Sequence, residues 1–386
     1  MQIALKRVYK LKDVIDDIHS GGTPSTKQSE YWGGNLKWLS SGETSNSFIY
    51  ETVEKITEAG VKNSSTKLAK KNDVVLACAG QGKTRGQVSY LEDDMYINQS
   101  VIALTANKSI LDSLYLFYNL KNRYKELRGG SDSSSTRGSI TTTSLKNLYI
   151  ELPPLSVQQK IVSVLHSYDK LIQNHKKQIE NLQNLASELH KEWFVRFRFP
   201  GYEKASFENG IPAGWKYEKL ETYADISTGK CNREDAEEGA LYPLFDRSQE
   251  VKKSNSWIKD CEAIIVPGEG TSFIPRYYKG KFNLHQRCYC VEPKQENMGK
   301  YLFFLLMLNR KYFLSVATGA TVPSLRYNNF AKMKFLLPNM DLCFKFNSIA
   351  DAIFEKKDNL QKQLDNLSNQ RDLLLPRFMS GKLEVK

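Results

Sequence analysis

Three groups of residues in this chain have types and spacings that could do chemistry. The first is Ala77-Cys-Ala-Gly-Gln-Gly-Lys83-Thr84, which follows the apolar run Val74-Val-Leu-Ala77 and fits a phosphate-binding loop with Ala in place of the first Gly. Such a loop must run into a helix whose N-terminus holds the phosphate. Here Arg85-Gly-Gln-Val-Ser-Tyr90 brings a glycine at once and then alternates like a strand. Because Glu92-Asp-Asp94 is preceded only by Tyr90 and Leu91, no apolar strand leads into an acidic pair for magnesium. The segment therefore reads as a Gly-rich hairpin carrying Lys83 and Arg85. The second group, Asp246, Glu250 and Lys252, imitates the carboxylate and lysine set of a metal-dependent nuclease, but Asp-Arg-Ser-Gln-Glu reads as a solvated polar loop. The third is the set of histidines, His19, His166, His175, His190 and His285, which are too dispersed for a metal cluster or a triad. Nor do the six cysteines contain a CxxC pair; Cys288 and Cys290 alternate within an apolar, strand-like run, so neither a zinc site nor a disulfide framework is expected. Asn-Pro-Pro-Tyr, Asp-Pro-Pro-Tyr and a Gly-rich turn for S-adenosylmethionine are all missing. No catalytic residue is expected in this chain, and no cofactor or metal bound directly to it.

What remains chemically pointed is basic. The 386 residues carry 55 Lys plus Arg against 43 Asp plus Glu, a formal charge of +12, which favours a polyanionic partner. At 40% hydrophobic and 11% aromatic the chain has ample material for a core. No window approaches ~18 uninterrupted apolar residues, and Met1 to Asp17 lacks the apolar stretch of a signal peptide, so a cytoplasmic protein without membrane spans is expected.

The elements that must position these residues are written twice. The segment from Leu152, LPPLSVQQKIVSVLHSYDKLIQ, can be laid without a gap on LPNMDLCFKFNSIADAIFEKKD from Leu337, an offset of 185 residues. Under it Lys160 falls on Lys345, Ser163 on Ser348, Gln178 on Gln363, Asn181 on Asn366 and Leu182 on Leu367. Upstream, Asp73 to Thr84 has a counterpart in Glu262 to Phe273, and Asn98-Gln-Ser-Val in His285-Gln-Arg-Cys. Each copy is a mixed-pattern stretch of roughly 140 to 150 residues followed by one long helical pattern, an internal duplication.

Within the first long helix, apolar residues recur at Ile161, Leu165, Tyr168, Ile172, Ile179, Leu182, Ala186, Leu189 and Trp193, with His175 the polar residue on the stripe. In the second, Phe346, Ile353, Leu360, Leu367 and Leu374 hold one heptad position, while Ala350, Lys357, Leu364, Arg371 and Phe378 hold the other. A narrow stripe with polar flanks is a coiled-coil seam, and Lys357 and Arg371 on it could fix register or partner. Proline sets the start of each helix, at Pro153-Pro154 and at Pro338.

Each upstream region reads as α+β, with short strands at Asp73 to Ala77, Tyr96 to Leu104, Ala263 to Val266 and Cys288 to Val291, and helices at Leu111 to Leu127 and Met298 to Val316. Two loops combine small hydroxyl residues with arginine: Arg128 to Gly138 and Thr318 to Arg326. They offer the donors that phosphate contacts use. On residue type alone, a DNA-facing loop and a plain surface loop are equal readings.

With these features together, the sequence resembles the specificity subunit of type I restriction-modification systems. The carriers are Leu152-Pro-Pro-Leu-Ser-Val-Gln-Gln-Lys-Ile161, Glu192-Trp-Phe194 and Leu373-Leu-Leu-Pro-Arg-Phe-Met-Ser-Gly-Lys382, with Ser20-Gly-Gly-Thr-Pro24, Asp73-Val-Val-Leu76 and Asn98-Gln-Ser100 upstream. In the second copy Leu337-Pro-Asn339 lacks the second proline and Cys343-Phe344 replaces the double Gln. The resemblance implies target recognition domains at 1–152 and 200–336 and conserved helical regions at 153–199 and 337–386. The helices would form an antiparallel coiled coil, giving an internal pseudo-two-fold repeat. It implies a non-catalytic subunit that reads a bipartite double-stranded DNA target and binds two methyltransferase subunits, joined by motor-nuclease subunits in the complete complex. S-adenosylmethionine would sit on the methyltransferase subunits, ATP and magnesium on the motor-nuclease subunits. A specificity half of a combined methyltransferase-nuclease system, or a coiled-coil scaffold without DNA binding, are the alternative readings.

A helix of ~35 residues is ~50 Å long, enough to separate two reading domains by about one turn of B-DNA, 34 to 36 Å. Phosphate contacts are then expected from Lys83, Arg85, Arg128, Arg137, Arg276 and Arg326. Base reading falls to Gln81, Gln99, Thr142 or Thr143 in the first copy and to Arg247, Gln286 or Arg287 in the second, although Gln99 and Gln286 could equally satisfy buried backbone.

Overall fold

The structure is a computed structural model that describes residues 6–80, 82–132, 138–319 and 321–385. It divides into two compact units, one made of 1–174 with 363–386 and the other of 175–362. The long helices, Leu155–Phe194 and Met340–Ser380, thus form no body of their own. Each unit takes one mixed α/β region together with a stretch of both helices.

In unit one, the fully buried strand Val74–Ala77 lies at the centre of a five-stranded sheet. The order is Ile15–Ser20, Val101–Ala106, Val74–Ala77, Val88–Leu91 and Phe48–Ile49, antiparallel except for the last pair. A β-branched run buried on both faces suits such a central position. A four-stranded sheet holds Glu54–Ile56, Trp32–Leu39, Met95–Ile97 and Lys67–Ala69. Tyr96 to Leu104, read as one strand, is two strands in different sheets. Asn98 breaks it by accepting from the Ser100 amide at 2.9 Å, and the Ser100 carbonyl turns to accept from Cys78 N at 2.9 Å.

Unit two has one six-stranded sheet in the order Ala224–Thr228, Cys288–Pro293, Lys259–Pro267, Arg276–Leu284, Tyr242–Phe245 and Lys252–Ser254. In both units a short antiparallel pair closes the mixed region just before a long helix begins: Arg7–Lys10 against Tyr149–Leu152, and Lys216–Lys219 against Lys334–Leu337. The expected single helices after the sheets are each two. Ser113–Asn122 and Tyr124–Asp132 break at Arg123, and Gly299–Leu308 and Arg310–Val316 break at Asn309, both breaking residues having ψ near zero.

The long helices bury a wider face than a two-helix seam needs. Ile161, Val162 and Leu165 share a core with Leu375, Phe378 and Met379 and with Phe117 and Tyr118 of the mixed region. The matching set in unit two is Ala186, Trp193, Phe194, Phe346, Ala350 and Phe354 with Leu302 and Phe304. Of the expected seam, Ile161, Leu165, Ile172, Phe346 and Leu360 are buried, while Tyr168, Ile179, Leu182, Leu189, Ile353, Leu364, Leu367 and Leu374 are half-buried. Packing against a sheet-and-helix region as well as a second helix recruits the neighbouring rows, and with them Asp169, His190, Leu375 and Met379.

His190 is 1% exposed and ringed by Phe194, Tyr301, Phe304 and Phe346, with centroids 4.9 to 5.8 Å away. Burial drives its pKa down from 6.5 to about 3, so the folded chain holds it neutral. Below the ordinary histidine value the unfolded chain takes up the extra proton, and stability present above pH 6.5 is lost as the pH falls toward 3. Denaturant melts should show a loss of about 2 kcal/mol at pH 5 from this residue. His190→Leu should remove that share of the pH dependence, and an unchanged slope between pH 5 and 7 would refute the assignment.

Candidate nucleic-acid interface

Beyond the ends of the interior strands of each unit the hydrogen bonding gathers four loops, and both units use the same scheme. In unit one the Cys78 amide donates to the Ser100 carbonyl, the Ile140 amide to the Cys78 carbonyl, and the Gly22 amide to the Ile97 carbonyl, at 2.9 to 3.0 Å. In unit two the Gly268 amide donates to Arg287, Leu325 to Gly268 and Lys230 to Leu284, at 2.8 to 3.1 Å. A glycine makes the last approach possible in each case. A Cβ on Gly21 would stand 1.8 Å from the Ile97 carbonyl oxygen, and one on Gly229 would stand 1.8 Å from that of Leu284.

The side chains carried by these loops are polar and cationic. In unit one the Thr23 hydroxyl donates to Gln99 Oε1. In unit two Gln286 Nε2 donates to Asn232 Oδ1 at 2.8 Å. Both glutamines are exposed and bond to side chains of the neighbouring loop, so neither is spent on buried backbone. Thr23 and Asn232 were not singled out from the sequence, although Thr23 stands inside the Ser20 to Pro24 motif.

Lys83 is exposed, and the chain around it runs through turns into the strand Val88–Leu91 rather than into a helix. Tyr124 ties this turn down: its hydroxyl donates to the Lys83 carbonyl at 2.9 Å and accepts from Arg128 Nη1 at 2.9 Å. Arg128 itself lies on the helix Tyr124–Asp132, not in a loop. Arg85 Nη1 donates to the Gly138 carbonyl at 2.5 Å, linking the Gly-rich turn to the fourth loop. Beside them a cleft is lined by Thr44, Ser47, Lys83, Gln87, Lys121 and Tyr124, where Lys121 Nζ donates to Ser47 Oγ at 2.7 Å. Thr142 begins the short helix Thr142–Lys146, and Thr143 is exposed on it. Gln81 and Arg137 lie outside the described residues.

In unit two Arg247 and Arg287 are exposed, and both pair with Glu269 at 2.8 Å. Arg326 is exposed at the start of the helix Tyr327–Ala331. Arg276 departs from its expected phosphate contact. Its guanidinium donates to the carbonyls of Ser248 and Asp246 at 2.8 and 2.5 Å and lies 5.0 Å over the Phe245 ring. Burial pulls its pKa below the ordinary arginine value, as suits a brace inside the domain.

The solvated loop expected around Asp246 is also corrected. Asp246 is 5% exposed, accepts from Ser248 N and Oγ, and pairs with Lys252 at 2.6 Å. Burial opposes its ionisation, but Lys252 and Ser248 outweigh this and hold its pKa at about 2. Because the hairpin folds Lys252 back over the turn, the carboxylate is used up structurally; Glu250 stays exposed. Cys261, Cys290 and Glu292 bring their ligand atoms within 4.8 Å of one another through strand packing that no local spacing shows. Glu292 is already paired with Lys259 at 3.0 Å.

The family model described as the type I restriction modification DNA specificity domain matches residues 5–184 and 212–366. The MjaIX type I restriction enzyme specificity subunit of Methanocaldococcus jannaschii is 29% identical, with 98% of this chain and 94% of that one aligned. The EcoDI specificity subunit of Escherichia coli is 30% identical over 45% of this chain and 39% of its own. Among solved structures, the S subunit of a type I restriction-modification system from M. genitalium has the same fold. Its TM-score is 0.63 at 16% identity, with 97% of this chain and 96% of that one covered. No described helix is long and apolar enough to cross a membrane. With two matches to one family model that together take in most of its length, the chain belongs to the type I restriction-modification DNA specificity subunits.

Proposed function

We propose that this chain reads a bipartite duplex sequence in the cytoplasm, unit one reading one half and unit two the other. The observation that carries this reading is the repeated four-loop scheme. The same three backbone bonds and the same enforced glycine approach present Thr23, Gln99, Lys83 and Arg85 in one unit, and Asn232, Gln286 and Arg287 in the other, where Arg247 joins them from the turn after Tyr242–Phe245 by pairing with Glu269. Amides and guanidinium groups are the donors and acceptors that match base edges in the major groove, and lysine and arginine supply the salt-dependent attraction to phosphate.

The long helices act as an antiparallel coiled-coil spacer. Support comes from pairings within each unit: Arg371 with Asp169 in unit one, and Phe346 with Trp193 in unit two, the later residue of one helix always meeting the earlier part of the other. On this spacer two methyltransferase subunits dock, with motor-nuclease subunits in the complete complex. The chain itself binds no cofactor; S-adenosylmethionine belongs to the methyltransferase subunits and ATP with magnesium to the motor-nuclease subunits. The test is selection from an unmethylated duplex library by the chain with a cognate methyltransferase subunit. A split motif should be enriched and bound on the order of 10³-fold tighter than unrelated duplex at physiological salt. Enrichment of no motif, or of one uninterrupted short motif, would overturn the reading.

A further inference from the structure

Glu269 is the middle residue of the Gly268-Glu-Gly270 turn. Its backbone is pinned on both sides: the Gly268 amide donates to the Arg287 carbonyl at 2.8 Å, the Gly270 amide to Pro323 at 3.0 Å, and Glu269 itself bridges to Ser324. The carboxylate is therefore held by the scaffold. Its side chain is only 19% exposed, whereas those of Arg247 and Arg287, which reach it from two other loops, are 44% and 53% exposed.

Arg287 Nη1 donates to both carboxylate oxygens at 3.0 and 2.8 Å, and Arg247 Nη1 donates to Oε2 at 2.8 Å. These bonds use Nη1 of each guanidinium and leave Nη2 and Nε of both out of the ion pair. Arginine reads guanine through two parallel donors, so its value in base recognition depends on the orientation of the fork. A flexible, fully charged arginine instead attracts any phosphate. One carboxylate set between two arginines changes both properties at once.

Resting on the functional reading above, we propose that Glu269 is a positioning residue of the second recognition surface. It presets Arg247 and Arg287 as an oriented pair for reading bases and offsets their charge against indiscriminate phosphate binding. In the first copy the same backbone bonds put Cys78 in the place of Gly268, so the neutral Ala79 stands where Glu269 does, and the device belongs to one half of the target.

The experiment uses the full chain with its methyltransferase subunits and the split duplex that wild type selects. Glu269→Gln frees up to two cations. Its binding to unrelated duplex should tighten about tenfold at low salt, and its log–log salt slope should steepen by about one to two. Discrimination among base changes in the second half-site should fall about tenfold, with the first half-site unaffected. Glu269→Asp keeps the charge but shortens the arm, so it should lose the selectivity and keep the wild-type slope. Exposed ion pairs add little to folding stability, and thermal melts of both variants should match wild type. If wild type selects a split site while Glu269→Gln keeps its slope and selectivity, or if both half-sites lose discrimination equally, the Glu269 assignment is wrong. If wild type selects no split site, the functional reading itself fails.

Discussion

Arg371→Ala should destabilise the chain by about 3–5 kcal/mol in denaturant melts, the cost of stranding a buried partner charge. Asp169, whose side chain is 3% exposed, pairs with Arg371 Nη1 at 2.6 Å and accepts from the Tyr118 hydroxyl at 2.6 Å. One carboxylate thereby joins both long helices to the mixed region of unit one. The internal repeat supplies the control. At the 185-residue offset the residues matching Tyr118, Asp169 and Arg371 are Phe303, Phe354 and Ala186. Phe303 and Phe354 stack edge-on at 5.9 Å, and Phe354 shares a buried cluster with Ala186. The same junction is thus built once from charge and once from a large and a small apolar side chain. Since well-packed apolar residues can replace a buried ion pair without loss, the triple variant Tyr118→Phe, Asp169→Phe, Arg371→Ala should recover to within about 2 kcal/mol of wild type. A triple variant as unstable as Arg371→Ala alone would show that the two junctions are not interchangeable.

Gly229→Ala should abolish reading of one half-site. The added methyl would lie 1.8 Å from the Leu284 oxygen and 2.3 Å from its carbon. Leu284 ends the strand Arg276–Leu284, which is bonded on both sides, so the loop is the part that must give. Its retreat breaks the bonds from Lys230 and Cys231 to Leu284 and from Gln286 to Cys231, at 3.0 to 3.2 Å. Loss of the Gln286 and Arg287 arrangement at roughly 1 to 3 kcal/mol per base contact predicts binding weaker by on the order of 100-fold. Specificity should vanish at the second half-site and persist at the first. Gly21→Ala should give the reciprocal result. Competition binding with half-site variants reads both, and full discrimination retained by either protein would contradict the assigned loop geometry.

The Val74 to Ala77 strand, the two long helices and their proline starts were legible because each is encoded by periodicity or backbone chemistry within a few residues. Arg371 stands out in the sequence because a charge on an apolar stripe is a local anomaly. Its partner does not, since Asp169 lies beside the heptad stripe and becomes buried only when a third element packs there. The burial of Asp246 is hidden for the same reason: its run is polar in sequence and closes on itself only in the folded hairpin. Arg276 looked like any surface arginine until its turn was folded around it.

By itself the sequence determined the duplication, the mixed α/β class, the pair of long amphipathic helices and the residue types available to meet an anion. All of these follow from spacing along the chain. Tertiary structure decided which loops meet: Thr23 against Gln99, Asn232 against Gln286, and Arg247 and Arg287 on one carboxylate. It also decided that one junction is ionic and its counterpart apolar. The physical reason is that strand register and helix-face packing set contacts between residues tens to hundreds of positions apart. Such contacts stabilise a charge or orient an amide only after the sheet has formed, so no local pattern announces them.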